Sequence, residues 1–127
     1  MPRVSYAFFT LAACCALIGM FVGLSMGASQ DFTLRPAHAH INLVGWLSMA
    51  VMGGFYALDR GASRRLAWVN FVLSGVGAIV LPTGIGLIVT GHEPVGGLAA
   101  MLGGMISLLG MACFLIAVLS GWRRAGG

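Results

Sequence analysis

Four long stretches of the chain are apolar on every side, and charged residues are confined to the ends and the short intervals between them. The stretches cover 4–27, 36–58, 66–90 and 95–120, and none contains Arg, Asp or Glu. Each holds about 23–26 residues, enough to cross a ~30 Å hydrocarbon layer as a helix rising ~1.5 Å per residue. No polar face recurs at the helical period, which is the pattern of helices bathed in lipid. The intervals are short: 28–35, 59–65 and 91–94. Pro36 suits a helix first turn, where its missing N–H is not needed. Pro82 lies inside the third stretch and predicts a kink there, with a neighbouring helix satisfying the freed carbonyl.

Small residues predict how these helices meet. Lipid offers no hydrophobic drive for helix association, so close backbone approach through glycine matters most. Gly19, Gly23 and Gly27 recur every four residues in the first stretch. Gly77, Gly84 and Gly91 recur every seven in the third. In the fourth, Gly96, Gly103, Gly110 and Ala117 do the same. Seven residues are nearly two turns, so each set forms one stripe read as a helix contact, within or between subunits. The predicted fold is all-α: an integral membrane antiparallel four-helix bundle, one domain over 1–127, assembled as a homo-oligomer.

Composition agrees with this. Of 127 residues 59% are apolar and only 8% charged, against about 25% in an average soluble domain. That excludes a soluble globule and, equally, a disordered chain. The net charge of +4 comes from scattered Arg residues that form no stripe, so no nucleic-acid partner is expected. With four spans, Arg3, Arg60, Arg64, Arg65, Arg123 and Arg124 share one side and Arg35 stands alone on the other. This bias predicts cytoplasmic termini in a bacterial inner membrane. The first stretch is longer than the about 7–15 apolar residues of a signal peptide. Although Leu11-Ala12-Ala13-Cys14 resembles a lipoprotein processing box, the apolar run continues past it. It is therefore expected to remain as a span.

Inside the spans the residues most able to carry chemistry are histidines, which are costly in lipid and mark sites. His38 and His40 open the second span and His92 follows the third, so topology brings all three near the outer face. His38 and His40 differ by about 200° around a helix and about 3 Å along it, so they serve different faces. Neutral imidazole binds haem iron, copper or zinc. Asn42 lies one turn past His38 and can orient it; Gly45, two turns on, leaves room for a flat group. The plainer alternative is a pair of interfacial histidines bonded to water and headgroups. For His92, in a turn beside Glu93, it is a solvated loop residue, the other option being a ligand or proton relay. Cys14, Cys15 and Cys113 form no metal or c-type haem motif and read as small buried residues. No phosphate loop, nucleophile elbow, carboxylate pair or zinc-hydrolase motif is present.

The stretch Pro36-Ala37-His38-Ala39-His40-Ile41-Asn42, followed by Gly53-Gly54-Phe55-Tyr56, resembles the haem-ligating helices of the catalytic subunit of haem-copper oxidases and nitric oxide reductases. In that family a His-x-His helix binds the high-spin haem by its first His and the low-spin haem by its second. An early helix carries a single His, matching His38, as the other low-spin ligand. The segment His38-x-His40-x-Asn42-Leu43 is similar to small four-span members of the same superfamily. The resemblance spans 36–56. The further histidines and the tyrosine of a copper site have no counterpart, so one chain cannot hold a binuclear centre.

The resemblance implies a non-covalent haem b, held by two His and used for electron transfer. The family's twelve helices form three arcs of four, so a homotrimer, before a dimer, supplies the same number. His40 of one subunit and His38 of its neighbour would then take the two faces of one haem, with Arg35 toward its propionates. Arg35 can equally pair with Asp31 or stand in solvent. Electrons would come from quinol or an outer-side carrier. If the chain is an enzyme, it is an oxidoreductase. The alternatives are a haem protein that binds or senses oxygen or nitric oxide, a copper-handling or assembly protein, and a structural subunit without cofactor.

Overall fold

A computed structural model describes residues 1–127 as four helices and no strands. The first runs Arg3–Ser29 and the second Arg35–Leu58. The third runs Arg64–Val89 and the fourth Val95–Ala125. All four are long and apolar enough to span a bilayer. The polar intervals end the helices by identifiable chemistry. Gln30 adopts a left-handed conformation (φ 56°) after the first helix and bonds back to the Gly27 carbonyl through its side chain. Ser63 caps the third helix by accepting from the Leu66 N–H.

The third helix closes with a paired-bond cap. The Gly91 N–H donates to the Ile88 carbonyl and the His92 N–H to the Leu87 carbonyl, with Gly91 at φ +85°. A left-handed residue one place past a helix end is what this cap requires, and glycine adopts it without steric cost. Gly91 therefore belongs to the turn and not to a packing stripe. Gly27 likewise meets no neighbour. Pro82 sits in a helix that continues unbroken across it, and it is buried.

The other glycines pack as their spacing predicts. Gly77, Gly84, Gly96, Gly103 and Gly110 are all buried between the third and fourth helices. A Cβ on any of them would strike backbone of the partner helix: Ser107 from Gly77, Ala100 from Gly84, Leu81 from Gly103 and Ser74 from Gly110. These stripes serve contact within one chain.

The first three helices pack on one another, and the fourth docks chiefly along the third. At the Arg-rich end the core is large and aromatic. Phe8, wholly buried, stacks on Tyr56 at 5.6 Å and meets Phe71 edge-on at 5.2 Å. Phe114 of the fourth helix reaches Phe55 edge-on at 5.3 Å. Below them a polar chain crosses the interior: the Asn70 amide donates to the Tyr56 hydroxyl (3.0 Å), and Ser74 donates to Asn70 Oδ1 (2.8 Å). Internal partners offset the cost of burying the Asn70 amide and the Tyr56 and Ser74 hydroxyls where no water is at hand. Only 24 of the 127 residues are buried, and large apolar side chains cover the outside, as a lipid-facing surface requires.

Candidate functional site

The histidines sit at the end of the bundle opposite the aromatic core. The second helix starts at Arg35 with Pro36 in its first turn, so His38 and His40 fall in its opening turns. Just beyond them, over Ile41–Leu47, the backbone widens into a π-helix. The Ser48 N–H bonds to the Leu43 carbonyl five residues back, and the Ser48 hydroxyl donates to the same oxygen at 2.8 Å. Such insertions redirect side chains and recur at functional sites. Hydrophobic periodicity does not reveal this one, because apolar residues occupy most positions on all sides of the helix and the widening leaves no distinct change of pattern.

His40 is half-buried, and its Nδ1 lies 2.8 Å from the Pro36 carbonyl oxygen. A carbonyl only accepts, so Nδ1 carries the proton and donates. The ring is then held in the tautomer whose Nε2 lone pair is free. A backbone carbonyl orienting one ring nitrogen while the other faces a metal is the usual support of a ligating histidine. Further along the same helix Leu43 and Leu47 are exposed, so its outer surface beyond His40 is apolar.

His38 faces elsewhere. Its ring lies against the first helix at Gly23, where a Cβ would come within 3.0 Å of its Cε1. Asn42 sits beside it. The Asn42 amide donates to the His38 carbonyl at 2.9 Å and lies 3.4 Å from each ring nitrogen. Asn42 in turn rests on Gly19, where a Cβ would be only 2.6 Å from its Oδ1. Two glycines one turn apart thus form the seat for His38 and Asn42. The room expected beside Gly45 is filled within the chain: Cys15 occupies it, with Sγ 2.8 Å from where a Cβ would stand. Glycine at position 45 serves the approach of the first helix, and a flat group does not fit there.

The structure does not gather the three histidines. His92 is exposed, with Nδ1 3.1 Å from the Thr90 hydroxyl, and no three His, Cys, Asp or Glu side chains come together anywhere as a metal set. The opposed directions of His38 and His40 persist, so one chain offers two imidazoles on two faces and no enclosed two-ligand site.

Arg35 is exposed and makes no ion pair; its guanidinium lies over the Phe32 ring at 5.2 Å. The alternative partner, Asp31, is taken up locally. Its Oδ1 accepts from the Thr33 hydroxyl (2.6 Å) and the Thr33 N–H (3.0 Å), which holds its carboxyl below the usual aspartate range. The one ion pair of the molecule is at the other end, between Arg124 and Asp59 at 2.6 Å.

Comparison with protein-family models, curated proteins and solved structures finds no match to this chain. The class defined by fold is therefore a four-helix protein suited to crossing a membrane, and its function rests on the residues themselves.

Proposed function

We propose that the protein binds haem b in the membrane and transfers electrons, with His40 as the residue that would hold its iron. The observation that carries this reading is the fixed His40 ring: its Nδ1 is committed to the Pro36 carbonyl and its Nε2 is left without a partner, with exposed apolar Leu43 and Leu47 further along the same helix. A water-solvated interfacial histidine has no need of that constraint. The residues fit one ligand per face and not two in one chain, so the second imidazole comes from a neighbouring copy, through its half-buried His38. The free Arg35 guanidinium, lacking a carboxylate partner, is suited to a propionate. When bound between two imidazoles, haem b supplies one-electron chemistry and offers no open position to a gas.

The role of this chain is to orient His40 through Pro36 and to seat His38 through Asn42, Gly19 and Gly23. In this reading the chain forms a homo-oligomer, a trimer being favoured, with the Arg-rich end cytoplasmic and the histidines near the outer face. Quinol in the lipid or a soluble outer-side carrier is the donor.

The test is an absorption spectrum of protein purified after expression with ample haem. A Soret band, one haem per chain and an unchanged reduced spectrum under carbon monoxide are expected. His40→Ala and His38→Ala each abolish the band, whereas His92→Ala keeps it. A carbon monoxide shift would assign a five-coordinate, gas-binding haem instead. Protein without a Soret band, or a band that survives His40→Ala, sinks the proposal.

A further inference from the structure

At the end opposite the histidines, the start of the first helix, the 59–63 turn and the start of the third helix enclose a cavity of about 520 Å³. Arg3, Arg60 and Arg64 line it, all three exposed, and none has an acidic partner. The single carboxylate on its wall, Asp59, is already held by Arg124 at 2.6 Å and by the Gly61 N–H at 3.0 Å. Two long helices begin at this wall. Backbone bonding starts at Ser5 in the first, and in the third at Leu66 through the Ser63 cap, so the N–H groups of the lining residues Arg3, Val4 and Arg64 have no partner within their helices. Unpaired positive charge and the positive ends of two helix dipoles therefore converge on one space. Its remaining wall is apolar and aromatic, including Trp68, Tyr56 and Val4.

We propose that this cavity binds the phosphate of an anionic phospholipid headgroup. Guanidinium forks match phosphate oxygens in pairs, and three arginines bordering one cavity with no acidic partner supply an uncompensated positive charge for an anion. The position favours a lipid over a soluble ion. The cavity lies where two helices long and apolar enough to cross a membrane start, a place that in a bilayer falls near the headgroups, and its apolar wall suits the glycerol and upper acyl region. This site is independent of the haem reading and stands or falls without it.

The experiment uses the full chain in dodecyl maltoside micelles, with Trp46→Phe and Trp122→Phe so that Trp68 alone reports. Titration with short-chain phosphatidylglycerol is expected to shift Trp68 emission saturably, and phosphatidylcholine is not. Arg60→Gln with Arg64→Gln weakens the phosphatidylglycerol response about ten-fold or more, and Lys at both positions recovers much of it. Arg65→Gln with Arg123→Gln removes the same charge from the same end but away from the cavity, and leaves the response unchanged. Inorganic phosphate is the competing probe: saturation by it alone, with no phosphatidylglycerol effect, overturns the lipid assignment. Equal responses to the two lipids, or equal losses in the two double variants, overturn the site itself.

Discussion

The contact between the third and fourth helices makes the sharpest quantitative prediction, because two adjacent glycines differ in what surrounds them. A Cβ on Gly103 would stand 2.5 Å from the Leu81 nitrogen and 2.8 Å from its Cα. The nearer distance falls short of ordinary contact at 3.4 Å by about 0.9 Å, and the obstacle is helix backbone, which cannot rotate aside. The next residue, Gly104, would meet only the Leu81 Cδ1, at 4.0 Å. Alanine at either position gains the same helix propensity, up to about 1 kcal/mol. Only Gly103→Ala must push the helices apart, at a cost of about 1–3 kcal/mol for overpacking. The difference between the variants is then about 1–3 kcal/mol, roughly five- to 160-fold in the unfolding equilibrium. Reversible unfolding in mixed dodecyl sulfate and maltoside micelles, followed by circular dichroism, measures it. Equal stabilities for Gly103→Ala and Gly104→Ala would show that the helices do not approach at Gly103, and the stripe argument would fall.

Other expectations follow from single contacts. Tyr56→Phe keeps the aromatic stack but strips the Asn70 amide of its acceptor, and should destabilise by about 0.5–2 kcal/mol in the same assay. Gly23→Ala crowds the His38 ring at 3.0 Å and should alter the spectrum of any bound haem while leaving the fold measurable by circular dichroism. Asp59→Asn removes the Arg124 pair, but its partners are partly exposed, so the change should stay within about 0.5 kcal/mol. Asp31, whose carboxyl is held low by Thr33, should titrate by carbon NMR below a free aspartate. The sign is that of a depressed acid: its bonds to Thr33 contribute above the unfolded pKa and are lost as pH falls through the folded one. Thr33→Val removes the hydroxyl donor and should raise that midpoint.

The helices themselves were legible in the chain. Every span observed lies within a few residues of its apolar run, since in lipid a backbone must satisfy its own hydrogen bonds and an apolar stretch of this length has only the helix open to it. Most of the glycine stripes were legible too, because a seven-residue spacing keeps one face. Gly27 and Gly91 were the exceptions: Gly27 meets no neighbour, and the left-handed turn at Gly91 depends on where the helix stops. At the histidine end, the residue types and the opposed faces of His38 and His40 came from the sequence, by helix angle alone. Tertiary structure decided what each face meets. It set Cys15 against Gly45, turned the first helix's glycines into a seat for His38 and Asn42, and inserted the π-helical turn beyond His40. It also brought Arg3 beside Arg60 and Arg64, far apart along the chain, around one cavity. Local sequence fixes which side of a helix a residue occupies, because that depends only on backbone geometry. Which neighbour it faces depends on how whole helices cross, and that is settled by the sum of contacts along their length.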